Sequence, residues 1–171
     1  MSKILIIEDE AAIRRVLTKI LSEENDSYKV EEAEDGLQGV EKIKKEDYDL
    51  ILCDIKMPKM DGVEVLEAIK KIKPEIPMVM ISGHGDLETA INTMRLGAFD
   101  YISKPPDLNR LLNTVRNALD RKQLVVENKI LKKKILNQNV LPVNFYLQYW
   151  LMIYHNMTFL IRIFTKNIFK L

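Results

Sequence analysis

The sequence predicts an α/β protein built on a parallel sheet. Two observations carry this reading. Short apolar runs alternate with stretches of helical periodicity, and a restricted set of polar residues stands directly after the runs: acids, a serine and a lysine. Strands joined through helices favour right-handed crossovers, with helices covering both faces of the sheet.

Each element has its own signal. Residues 3–7 read as a buried strand. Residues 10–23 read as a helix, with Ala11, Ile13, Val16, Leu17, Ile20 and Leu21 at helical spacing. Residues 28–33 are a strand whose polar interruptions suit an edge. Residues 37–45 form a helix that turns Val40 and Ile43 inward, and residues 50–53 a wholly apolar strand. Residues 62–73 are a helix carrying Val63, Val65, Leu66 and Ile69. Asp61 suits its N-cap, and Pro74 marks its stop. Residues 77–81 are a strand, 86–96 a helix closed by Gly97, and 99–102 a short strand. Asp107 then opens a long helix through Leu108, Leu111, Leu112, Val115 and Leu119. The expected architecture is a flavodoxin-like doubly wound (βα)5 sheet in strand order 2-1-3-4-5, with a C-terminal helical extension.

Composition bounds the rest. The 171 residues suffice for one ordinary domain and an extension. Hydrophobic residues make up 47% and charged residues 30%, which suits a packed soluble domain. Cys53 is the single cysteine, so no disulfide framework forms within the chain, and a reducing, cytoplasmic location is expected. The opening apolar run, Ile4–Ile7, is too short for a signal peptide. The net charge of +1 conceals an asymmetry. Residues 1–127 hold all 25 acids and 19 of the Lys and Arg, a net −6; residues 128–171 hold no acid and 7 cations.

In open parallel sheets, ligands bind beyond the carboxyl ends of the strands. Glu8 and Asp9 follow the first strand, Asp54 the third and Ser82 the fourth, while Lys104 and Pro105 follow the fifth. In the order 2-1-3-4-5 these ends are neighbours, so the side chains converge. Two carboxylates about 4 Å apart repel by roughly 4 kcal/mol at an effective dielectric of 20. Three together call for a cation, and a hard divalent ion such as Mg²⁺ takes carboxylates, waters and phosphate oxygens. With a lysine and a hydroxyl beside it, the set suits phosphoryl transfer. Asp54 is the candidate nucleophile, forming an acyl phosphate. Blander readings stand beside these: Ser82 as a turn residue, Tyr101 as a packed aromatic, His84 as a loop histidine and Cys53 as strand packing.

Four stretches carry a resemblance: "ILIIEDE" from Ile4, "LILCDIKMPKMDG" from Leu50, "ISGHGD" from Ile81 and "YISKP" from Tyr101. In this order they resemble the receiver domain of two-component response regulators, over residues 1–120. The resemblance implies that Asp54 is the phosphoacceptor and Asp9 a direct Mg²⁺ ligand, with Glu8 the second acid. It further implies that Lys56 offers its backbone carbonyl to the metal, Ser82 and Lys104 bind the phosphoryl group, and Tyr101 is an aromatic switch. Pro105 matches the family's proline after a cis peptide bond. The implied partner is a sensor histidine kinase, and the chain is a phosphoacceptor switch rather than an enzyme. Glu8 departs from the commoner Asp, and Pro106 stands where an aromatic is frequent.

The stretch from Ile81 to Asp107 and the later "ENKILKKKI" resemble nitrogen-regulation-type transcriptional regulators, which carry an ATPase domain and a DNA-binding domain. Neither follows here, and no Walker-type loop occurs, so no direct nucleic-acid binding is expected. An Asp-nucleophile phosphatase would place an acid two residues past Asp54, where Lys56 stands. A flavin module would not put Glu8-Asp9-Glu10 where a phosphate loop belongs.

Residues 121–138 are expected to form a helical linker. Leu124, Asn128, Leu131 and Ile135 fit d, a, d, a positions of a two-heptad coiled coil, the basis for expecting a homodimer; a solvated charged extension with a few scattered leucines is the competing reading. Residues 139–171 are an apolar tail; residues 142–171 hold eight of the chain's 12 aromatics. Asn144, Gln148, His155, Asn156 and Arg162 break any clean membrane span. A membrane-surface helix, a partner-binding helix and an out-of-frame reading of an A+T-rich gene from about residue 137 all remain open.

Overall fold

The computed structural model describes the backbone of residues 1–83 and 87–168, with side chains at 1–83, 87–136, 150–152, 154 and 157. His84 and the expected helix start at Asp86 lie outside the described residues. Two compact units are present, Met1–Val125 and Val126–Leu171.

The first unit runs β1 (Ser2–Ile7), α1 (Ala11–Glu24), β2 (Tyr28–Ala33), α2 (Gly36–Lys45), β3 (Leu50–Asp54), α3 (Gly62–Ile72), β4 (Met78–Ser82), α4 (Leu87–Arg95), β5 (Asp100–Ser103) and the start of α5 (Leu108–Ile168). All strand pairs are parallel, in the order β2-β1-β3-β4-β5, as the sequence predicts, and β2 is an edge.

Strand alternation distributes the core. Ile4 and Ile6 of β1 face one side, packed with Leu17 and Leu21 of α1 and Leu111, Val115 and Ala118 of α5. Leu5 and Ile7 face the other, against Val40 and Ile43 of α2 and Val65, Leu66 and Ile69 of α3. β3 and β4 are buried along their whole length, as a parallel sheet covered on both faces requires. Each fully buried aliphatic side chain contributes about 1.5–3 kcal/mol, so these central strands are held firmly.

Local chemistry sets the helix ends. The Asp61 carboxylate accepts from the Glu64 N–H at 2.8 Å, and the Glu64 carboxylate accepts from the Asp61 N–H at 2.9 Å, a reciprocal box that starts α3. Asp35 caps α2 by accepting from the Gln38 N–H at 2.8 Å. Gly97 follows α4 with φ +96°, a left-handed turn that glycine adopts without penalty.

The structure differs from the sequence reading in particulars. β3 extends through Asp54 and β4 through Ser82, one residue past the expected ends. A polar residue looks like the start of a loop, yet ladder bonding continues: Ile55 N–H donates to the Ile81 carbonyl at 3.0 Å and Lys104 N–H to the Ser82 carbonyl at 2.7 Å. Val16 is 57% exposed, because the inward stripe of α1 is carried by Leu17 and Leu21 and Val16 lies beyond its margin. α4 buries only Thr93 completely; Leu87, Ile91 and Met94 face solvent.

The second unit is helical through Ile168. Its described apolar side chains are exposed, including Ile130, Leu131, Ile135, Trp150 and Tyr154. The Trp150 and Tyr154 rings stack with centroids 6.0 Å apart, one turn apart on the helix. Most tail side chains, including those of Asn144, Gln148, His155, Asn156 and Arg162, lie outside the described residues, and with them the surface-helix and partner-helix readings. Among the described residues no helix is long and apolar enough to cross a membrane.

Candidate functional site

The carboxyl ends of β1, β3, β4 and β5 meet at one edge of the sheet. Registers Ile7↔Cys53, Asp54↔Ile81 and Ser82↔Ser103 bring the strand ends level. Glu8 and Asp9 leave β1, Asp54 is the last residue of β3, Ser82 the last of β4, and Lys104 follows β5. Glu8, Asp54 and Ser82 are buried, at 1%, 5% and 2% exposure.

Ligand oxygens of Glu8, Asp9 and Asp54 all lie within 4.8 Å of one another. The Lys104 ammonium stands 2.7 Å from Glu8 Oε2 and 3.1 Å from Asp54 Oδ2. The other Asp54 oxygen, Oδ1, accepts from the Ile55 N–H at 2.8 Å. Glu8 Oε1 accepts a longer bond from the Glu10 N–H, 3.3 Å. The Glu8–Lys104 contact is ionic rather than a well-aligned hydrogen bond: Glu8 Oε2 is buried without a donor in hydrogen-bond geometry among the described residues.

Charge and burial pull against each other here. Burial pushes the Glu8 and Asp54 carboxyls up from their ordinary range, and the ammonium of Lys104 only partly restrains them. Burial alone would lower Lys104, but Glu8 and Asp54 outweigh it and the ammonium is held above its usual value. Cys53, beneath the site, is pushed well up by burial and is an inert packed thiol.

This donor set fits a divalent cation. Among the described residues, three carboxylates face a single ammonium, leaving two formal negative charges in a partly desolvated place. One buried oxygen, Glu8 Oε2, still lacks a directed partner. All ligands are hard oxygens, the preference of Mg²⁺.

The other expected residues take the following places. Lys56 has an exposed side chain on the loop between β3 and α3, two residues beyond Asp54. Tyr101, in β5, is half-buried and packs against the α2–α3 side of the core. The Lys104–Pro105 peptide is cis. Asp61 is a helix cap rather than a ligand.

Two sets of contacts escaped the sequence reading. Arg14 Nη1 donates to the Glu8 carbonyl at 2.6 Å, while its Nε bonds Glu32 Oε2 at 3.1 Å. It pins the turn that carries Glu8 and Asp9 to the edge strand. A cation one and a half helical turns past an acid pair is the only sequence trace of this. The second is an ion pair between Lys59 and Asp35, Nζ to Oδ2 at 2.5 Å.

The chain matches the family model described as "Response regulator receiver domain" over residues 4–116. It is 36% identical over 121 residues to "Transcriptional regulatory protein ZraR" of Klebsiella oxytoca, covering 71% of this chain and 27% of that protein. It is 36% identical over 143 residues to "Putative response regulator NtrX-like" of Rickettsia bellii, covering 82% of this chain and 30% of that protein. The chain thus spans less than a third of the length of these curated relatives. Among solved structures, a response regulator receiver domain protein from Clostridium thermocellum superposes with TM-score 0.69 at 35% identity, over 73% of this chain and 99% of that one. The receiver domain of NtrX from Brucella abortus superposes with TM-score 0.65 at 39% identity, over 68% and 98%.

Proposed function

The chain belongs to the response regulator receiver family, and from that premise we propose that Asp54 accepts a phosphoryl group from the phosphohistidine of a sensor histidine kinase. The observation that carries this is the placement of Asp54. It ends a fully buried strand with one oxygen fixed by the Ile55 N–H and the other beside Lys104. An Asp54 oxygen forms the new P–O bond as the P–N bond of the donor breaks, and the bonding pair returns to the imidazole. Lys104, already at the site, stabilises negative charge on the transferred group. Ser82 is at hand on the neighbouring strand end to donate its hydroxyl to a phosphoryl oxygen.

Asp9, Asp54 and Glu8 would hold Mg²⁺, together with the Lys56 backbone carbonyl. When bound, Mg²⁺ offsets the negative charge of the carboxylates and the incoming phosphoryl group. Tyr101 acts as the switch, turning inward as Ser82 engages the phosphoryl group. The chain is then a phosphoacceptor that at most catalyses its own phosphorylation and dephosphorylation.

Residues 1–120 form the receiver, 121–138 a helical linker, and 139–171 a tail. The output is a change in homodimerisation through Leu124, Leu131 and Ile135, all exposed on α5, within a cytoplasmic transcription-regulating pathway. Incubation with acetyl phosphate and Mg²⁺ should add one phosphoryl group, read by intact mass. Asp54→Asn should abolish the addition; equal labelling of that variant would overturn the assignment.

A further inference from the structure

We propose that Lys59 and Asp35 form a strap that fixes the loop between β3 and α3, making Lys59 a positioning residue for the metal site. This rests on the metal reading above. The loop leaves Asp54 and carries Lys56, whose carbonyl is the proposed fourth ligand. Its two ends are anchored within the loop itself: Gly62 N–H donates to the Ile55 carbonyl at 2.8 Å, and the Asp61–Glu64 box starts α3. Its middle has a different anchor. Lys59 has φ +69°, the single non-glycine residue in the left-handed region among those described. A side chain there is disfavoured and persists only where the surroundings impose it.

The surroundings are those of α2. The Lys59 ammonium reaches Asp35 Oδ2 at 2.5 Å, and Asp35 is 6% exposed. The other Asp35 oxygen accepts from the Gln38 N–H. Asp35 therefore caps a helix and holds the loop with one carboxylate. Both contacts keep it ionised below its usual range, the Gln38 bond foremost and Lys59 next. The backbone agrees: a Cβ added at Gly36 would sit 2.5 Å from the Met60 carbonyl oxygen, so the loop lies directly on the first residue of α2. Lys59 touches none of Glu8, Asp9 or Asp54 in any ion pair or hydrogen bond described. It acts only through the loop.

The test is Mn²⁺ affinity by electron paramagnetic resonance on the full chain, using Mn²⁺ in place of Mg²⁺. Lys59→Gly keeps a left-handed residue without strain and removes the ammonium. Asp35→Asn keeps a good N-cap and removes the charge. Each should weaken Mn²⁺ binding by about tenfold, the low end for groups that orient metal ligands. The double variant should be no weaker than either single one, and Lys59→Arg should bind as the parent does. Parent-like affinity in both single variants, or losses that multiply in the double variant, would overturn the strap. A parent chain that binds no Mn²⁺ would instead overturn the metal reading beneath it.

Discussion

Replacing Lys104 by Met should make the fold's stability steeply pH-dependent. The substitution keeps most of the stem and removes the ammonium, which lies 2.7 Å from Glu8 and 3.1 Å from Asp54. Two buried carboxylates then face each other without their cation. The cost has a ceiling, because one acid can escape by taking a proton. At pH 7.5, protonating Glu8 from its ordinary value of 4.5 costs three pH units at about 1.4 kcal/mol each, or about 4 kcal/mol. Breaking one side of a buried ion pair typically costs a similar 3–5 kcal/mol. The sign follows from linkage. An acid held above its unfolded value binds more protons in the folded state, so stability falls as pH rises past 4.5. At pH 5 the same ceiling is below about 1 kcal/mol. Urea unfolding followed by circular dichroism, with EDTA present, should show a deficit of about 3–4 kcal/mol at pH 7.5 that nearly vanishes at pH 5. An equal deficit at both pH values would refute the reasoning, since lost packing does not titrate.

Other consequences follow from the same contacts. Gly62→Ala should destabilise by about 3 kcal/mol or more, seen as a lowered thermal midpoint, because a Cβ would lie 2.2 Å from the Asp54 backbone oxygen, which cannot yield without moving the site. Asp61→Ala removes the N-cap of α3 and should cost about 1 kcal/mol by urea titration, with Asp61→Asn close to the parent. Glu31 is held down at about 2: burial would raise it, but the Tyr48 hydroxyl and Lys3 more than offset that. Its contribution is complete above about pH 4.5 and disappears as pH falls toward 2. Glu31→Gln should cost about 2 kcal/mol at pH 7, discounted for its 22% exposed side chain, and almost nothing at pH 2. Leu131→Glu on the exposed stripe of α5 should convert any dimer to monomer in sedimentation velocity.

The fold was legible because its signals are local. Four apolar residues before Asp54, or Leu17 and Leu21 four apart, speak for themselves. The gathering of Glu8, Asp9, Asp54, Ser82 and Lys104 was legible because strand order alone makes their positions adjacent. Strand ends were misplaced by one residue at Asp54 and Ser82, since a polar residue can still bond in the ladder. Val16 was misassigned because periodicity gives a face but not its margin. Arg14 and Lys59 were missed for a common reason. Each acts on an acid 18 or 24 positions away, on a partner that only tertiary folding delivers. Nothing in the spacing of residues 54–62 signals that Lys59 takes a left-handed conformation; glycine or asparagine would have announced it.

Cys53 turns the site's foundation into something that can be watched. It is the only thiol in the chain, fully buried, and its Sγ lies 3.2 Å from the Asp54 backbone oxygen. A thiol reagent can reach it only when the strand that ends on Asp54 opens to solvent. Its labelling rate therefore clocks every opening that exposes the central strand, global unfolding included, a native stopwatch that needs no introduced probe and reads how firmly Glu8, Asp54 and Lys104 hold the sheet's centre shut.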